Sequence, residues 1–117
     1  MRPAPSKISS VEMLENPKNP VEIRQHLSEG RVVALSVQTY PFWTDAATWK
    51  SGDISLPLGE PILGGHAILL VGFNEQEEHF IFRNSWSDVW ASESTYARGY
   101  GTLPYAYVEL DGWEGFS

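Results

Sequence analysis

The chain has 117 residues, 42% hydrophobic and 20% charged, which suits a single globular domain with a modest core. Asp and Glu number 15 against 8 Lys and Arg, and the net charge of -7 argues against nucleic acid as a partner, because phosphate binding needs basic patches. Cysteine is absent, so disulfides and thiolate metal sites are excluded.

Residues 1–18 carry Pro3, Pro5 and Pro17 among Ser and Lys, and read as an extended, poorly ordered arm. Within it Val11, Met13 and Leu14 either pack locally or mark a link to a missing domain. No basic-then-apolar start of signal-peptide type is seen, and the longest apolar run, Ala67–Val71, is strand-sized. No membrane span is expected, and a cytoplasmic location is.

Residues 19–117 form the folded domain in this reading. Asn19 suits a helix N-cap, Pro20 the first helical position, and Glu22 completes an Asn-x-x-Glu capping box. Ile23 and Leu27 share one helix face, and Gly30 ends the helix. The β-branched run Arg31–Tyr40 predicts a strand, stopped by Pro41. Residues 42–63 read as a long loop holding Phe42, Trp43 and Trp49. Loops of that length are functional or mobile. Its rings either pack as a satellite core under the loop or line a cleft.

Two apolar runs follow, Gly64–Phe73 and Phe80–Trp86, separated by the polar stretch Asn74–His79. They predict an antiparallel hairpin. In a hairpin the start of one strand lies beside the end of the other, so His66 and Asn84 meet at one edge of the sheet. A side-chain amide on one imidazole nitrogen fixes the ring and leaves the other nitrogen for proton transfer. Trp86 is placed to shield that bond from water. The plain structural alternative is a core histidine satisfied by an amide, with no chemistry.

Residues 87–98 predict a loop. Gly99-Tyr100-Gly101 reads as a pivot into a last strand over Tyr105–Leu110, and the tail Asp111–Ser117 as an edge cap or a frayed end. The three His residues, at 26, 66 and 79, lack zinc-ligand spacing. Glu75, Glu77 and Glu78 read as a solvated hairpin tip. Gly59 and Gly64-Gly65 lack the following Lys-Ser/Thr of a phosphate loop. No metal or cofactor is expected.

Gly65-His66-Ala67, then Asn84-Ser85-Trp86, then Trp90, then Gly99-Tyr100-Gly101 resembles the second half of a papain-like, family C1 cysteine peptidase. The stretch Gly101–Val108 is similar to bacterial members, and the resemblance spans about residues 20 to 110. It implies an α+β, mainly β fold: an antiparallel sheet or partly open barrel like the right-hand papain domain, with one short N-terminal helix. It implies His66 and Asn84 as two members of a Cys-His-Asn triad, supported by Gly65, Trp86 and Trp90. Phe42, Trp43 and Trp49 would form the exposed wall that meets substrate or a partner.

The departures are informative. The family nucleophile is a cysteine in the N-terminal half, and this chain has none. Ser87 and Ala91 stand where the family has Gly, a residue that often marks a backbone conformation others resist. The stretch Ala91–Arg98 is longer than the usual family turn. The resemblance therefore implies a peptidase half inactive by itself, with a Cys-bearing partner chain or self-association, and with peptide as the possible substrate. A non-catalytic binding or regulatory module, a pseudoenzyme, is the alternative.

Overall fold

The computed structural model describes residues 12–86 and 89–117. Expectations for residues 1–11, including Val11, and for Ser87 lie outside the described residues. Helix α1 spans Pro20–Ser28 and strand β1 Val33–Thr39. A 3₁₀ turn, Pro41–Thr44, and helix α2, Ala46–Ser51, follow. The hairpin is β2, Gly64–Asn74, and β3, His79–Arg83. The chain ends with β4, Tyr100–Pro104, helix α3, Tyr105–Asp111, and β5, Gly112–Phe116.

The punctuation of α1 acts as its residues dictate, with one change. Asn19 Oδ1 accepts from the Val21 amide at 2.9 Å, satisfying one of the free donors at the helix start. Glu22 does not return to the Asn19 amide, as a capping box requires. Its carboxylate instead accepts from the amides of Glu15 and Asn16, each at 3.0 Å. At the other end Gly30 takes a φ of 82°. Its amide donates to Leu27 and that of Arg31 to His26, closing the helix in a Schellman arrangement.

The five strands form one antiparallel sheet in the order β4-β3-β2-β1-β5. It is an open sheet, not a closed barrel. In β1 the odd-numbered residues Val33, Leu35, Val37 and Thr39 are buried, the alternation of a strand with one face on the core. They join Ile68, Leu70, Phe80, Phe82, Leu103, Tyr107 and Val108 in a single cluster. Both sheet edges are covered. Residues 12–14 pair with β5, through Met13 opposite Phe116 and backbone bonds from Glu12 and Leu14. Asp53 bridges Thr102 on β4.

Three expectations are corrected. Residues 12–18 are not a loose arm: Leu14 is buried and the segment is tied to β5 and to Glu22. The long loop contains the 3₁₀ turn and α2. The expected last strand, Tyr105–Leu110, is helix α3, which adds with α2 to the single helix expected. Gly112–Phe116 is the edge strand of the sheet, the first of the two readings of the tail. Among the described residues no helix is long and apolar enough to cross a membrane.

Candidate active site

The hairpin brings His66 and Asn84 together through a bulge. From the turn outward, Asn74 pairs with His79, Phe73 with Phe80 and Gly72 with Ile81. The next pair is Leu70 with Phe82, so Val71 is an extra residue on β2. Side chains alternate faces along a strand, so this one residue changes which residues share a face. Were Val71 paired in turn, with no bulge, Asn84 would fall opposite Leu69, on the other face from His66. With it, the register carries Asn84 to the level of Ile68, one pleat from His66 and on the same face.

His66 Nε2 lies 3.0 Å from Asn84 Oδ1. An amide oxygen only accepts, so the neutral imidazole carries its proton on Nε2 and donates it. Nδ1 is left as the basic nitrogen. Asn84 is itself buried, and its amide donates to the Gly99 carbonyl, which ties the end of β3 to the start of β4. Asn84 Nδ2 is buried with no hydrogen-bond partner among the described residues.

Aromatic rings enclose the pair. Trp86 lies over His66, ring centres 5.0 Å apart and tilted by 30°. Trp49, at the C-terminal half of α2, stacks on Trp86 at 5.9 Å. Trp90 is fully buried and meets Trp86 edge-on at 5.9 Å and Phe82 at 5.6 Å. Gly65 stands beside His66, and a side chain there would press on Trp113, 3.2 Å from its ring.

Trp43 was expected on an exposed wall with Phe42 and Trp49. It is fully buried instead. Its ring meets His66, Phe82, Trp86 and Tyr107 at 5.9 to 6.2 Å. The apolar ring faces demand burial, and the 3₁₀ turn aims this one inward. Phe42 is half-buried and stacks on Tyr40, outside the ring cluster around His66. Trp49 is half-buried and belongs to that cluster.

Sequence reasoning missed Tyr107. Its hydroxyl accepts from Trp43 Nε1 at 2.9 Å and donates to the Gln38 carbonyl at 2.6 Å. Burial pushes its pKa well above the usual tyrosine range; the Trp43 bond opposes this and the Asp111 charge adds to it. Tyr40 donates to Asp111 at 2.7 Å, and burial, then that carboxylate, holds its pKa up at about 12. The polar ends of these tyrosines fall on one side of α3, and reading 105–110 as a strand concealed that.

On the sheet face opposite the pair lies an apolar cleft of about 350 Å³, lined by Ala34, Ala67, Ile68, Leu69, Arg83 and Ser85. Ala67 and Ser85 directly follow His66 and Asn84 in the chain. The Arg83 guanidinium lies 5.2 Å from the centre of the Tyr100 ring. Among the described residues no group of three or more His, Asp or Glu is placed to hold a metal ion.

Residues 3–102 match the model of the papain family cysteine proteases, and the chain belongs to that family. It is 32% identical over 87 residues to a peptidase C1-like protein of Acanthamoeba polyphaga mimivirus, covering 74% of this chain and 26% of the viral protein. Its fold is similar to xylellain, a cysteine protease from Xylella fastidiosa, with TM-score 0.74 and 24% identity over 90% of this chain and 38% of that one. It is also similar to a procathepsin B of Trypanosoma congolense, with TM-score 0.62 and 19% identity over 93% of this chain and 35% of that one. The chain thus spans about a quarter of the viral relative and little more than a third of the two solved proteins.

Proposed function

We propose that this chain supplies the histidine and asparagine of a papain-like Cys-His-Asn site and is inactive by itself. The thiol comes from polypeptide outside these 117 residues, as a Cys-bearing partner. The 3.0 Å contact between His66 Nε2 and Asn84 Oδ1, in a chain without cysteine, carries this reading.

The chemistry follows from the tautomer. His66 Nδ1 takes the proton from the partner's thiol, and Asn84 holds the resulting imidazolium through Nε2–H. The thiolate adds to the peptide carbonyl carbon. The imidazolium then gives its proton to the leaving amine as the C–N bond breaks. Water, deprotonated by Nδ1, hydrolyses the thioester and restores the thiol. Trp86 keeps water from competing for the Asn84 oxygen.

The partner would also cover the apolar cleft on the sheet face behind the pair. Ala34 and Ala67 are exposed there, and small side chains let another backbone approach closely. Arg83 at the rim suits an acidic group on the incoming surface.

The purified chain is expected to show no turnover of a fluorogenic peptide. Mixed with its Cys-bearing partner it should turn over, and His66→Ala should lower the rate about 10²- to 10⁴-fold, the usual contribution of a general base. Turnover by the lone chain, abolished in His66→Ala, would overturn the need for a partner.

The absence of cysteine favours a second reading. Ala91 does not, because it keeps the left-handed backbone that a Gly at that place would favour. A binding module on a peptidase scaffold would recruit a partner that no thiol-directed peptidase probe labels.

A further inference from the structure

We propose, resting on the His66–Asn84 reading above, that Trp43 is a positioning residue for His66, held in place by the hydroxyl of Tyr107. One hydrogen bond fixes a point on a ring, not its plane. An imidazole held only at Nε2 can still rotate about the Nε2···Oδ1 axis, and that rotation swings Nδ1 away from any thiol. In proton transfer a small misplacement of the base is costly. The rings packed on His66 must therefore set its plane.

Two tryptophans touch it. Trp86 covers it from the partly exposed side. Trp43 meets it edge-on, the two planes at 84°. The same Trp43 ring also stands edge-on against Trp86, at 70°. Trp43 thus contacts both the base and its cover. Of the two it is the fully buried one, and its own rotation is stopped by a hydrogen bond. That bond leads to fixed backbone: Trp43 Nε1 donates to Tyr107, and Tyr107 donates to the Gln38 carbonyl. Gln38 lies on β1, paired with Gly65, the residue before His66. The path leaves β2 at His66, passes through Trp43 and Tyr107, and returns to the backbone beside β2. A closed path of this kind fixes angles as well as distances.

Tyr107→Phe removes only the hydroxyl, and Trp43→Phe keeps a ring in the core while removing the N–H. The readout is exchange of the His66 Nε2 proton with water, followed by nitrogen-15 NMR on the histidine-labelled chain. We expect both variants to fold, with exchange at least tenfold faster and the Nδ1-protonated tautomer newly populated. A role in packing alone would lower the melting temperature and leave exchange and tautomer unchanged; that result would overturn the assignment. If Trp43→Phe fails to fold, Tyr107→Phe decides. Asn84→Ala separates the two readings. If it leaves the His66 signal unchanged, the pair itself is wrong. If it abolishes the signal while Tyr107→Phe does not, only the role of Trp43 fails.

Discussion

The methyl group of Ala91 occupies the space that a side chain on Gly52 would need: a Cβ on Gly52 would lie 2.7 Å from it. Both residues are left-handed, with φ of 74° at Gly52 and 56° at Ala91. The contact joins the end of α2 to the loop that follows Trp90. Backbone bonds from Ala91 to Trp49 and from Thr102 to Gly52 reinforce it.

Gly52→Ala should therefore cost about 2–4 kcal/mol, from left-handed strain and overpacking together. Ala91→Gly should stay within about 1 kcal/mol of wild type, because relief of strain is offset by loss of a buried methyl and a freer unfolded chain. Urea unfolding measures both. A large stabilisation by Ala91→Gly would show that its methyl contributes nothing to the Gly52 contact.

Deleting Val71 removes the bulge but leaves its flanking pairs, Gly72 with Ile81 and Leu70 with Phe82, in register. The expected result is a His66–Asn84 hydrogen bond that persists, with a stability cost confined to the local change in twist. Val71→Ala keeps the residue count and should cost only about 1 kcal/mol, with the His66 Nε2 proton still protected. Loss of protection in the deletion would mean that the pair depends on the bend of the bulge and not on register alone.

Much of this site could be read in the residues. The hairpin, the nearness of His66 to Asn84 at one sheet edge and the cover by Trp86 follow from two apolar runs around a polar turn, but that the two side chains share a face depends on the bulge. The bulge is not visible there, since nothing in Leu70-Val71-Gly72 shows which residue lacks a partner. Tyr105–Asp111 misled because a short run of aromatic and β-branched residues fits a strand or a buried helix equally well. Trp43 misled because a loop address suggests exposure, whereas the 3₁₀ turn buries the ring. In the tail, Gly112 and Gly115 mark close approach. A side chain on Gly112 would come within 2.7 Å of the Pro17 carbonyl, and one on Gly115 within 2.5 Å of Leu14.

Alkaline pH should unfold the protein cooperatively. Burial raises the pKa of Tyr40, Tyr105 and Tyr107, and Tyr40 reaches about 12 from an ordinary 10. The folded chain then holds protons that the unfolded chain has released. Stability is complete below about pH 10 and declines as the pH rises towards 12. Urea midpoints across this range should fall, and Tyr40→Phe should make the fall shallower. An equally steep fall in the variant would assign the effect to the other tyrosines.

The Asn19 cap should be worth about 1 kcal/mol, lost in Asn19→Ala and mostly retained in Asn19→Gly. Glu22→Gln tests a different contact. Its carboxylate holds residues 15 and 16, so the variant should speed amide exchange at those two positions while leaving α1 helical by circular dichroism.

The covered edges of the sheet bear on how any partner can be recognised. Residues 12–14 occupy the outer side of β5, and residues 52–54 that of β4. A strand from another molecule finds no free ladder to extend at either place. Main-chain pairing is indifferent to most side chains and promotes indiscriminate association. With that route closed, selection falls to side chains on the face, and a single substitution such as Ala67→Lys could block a partner while the chain itself folds normally.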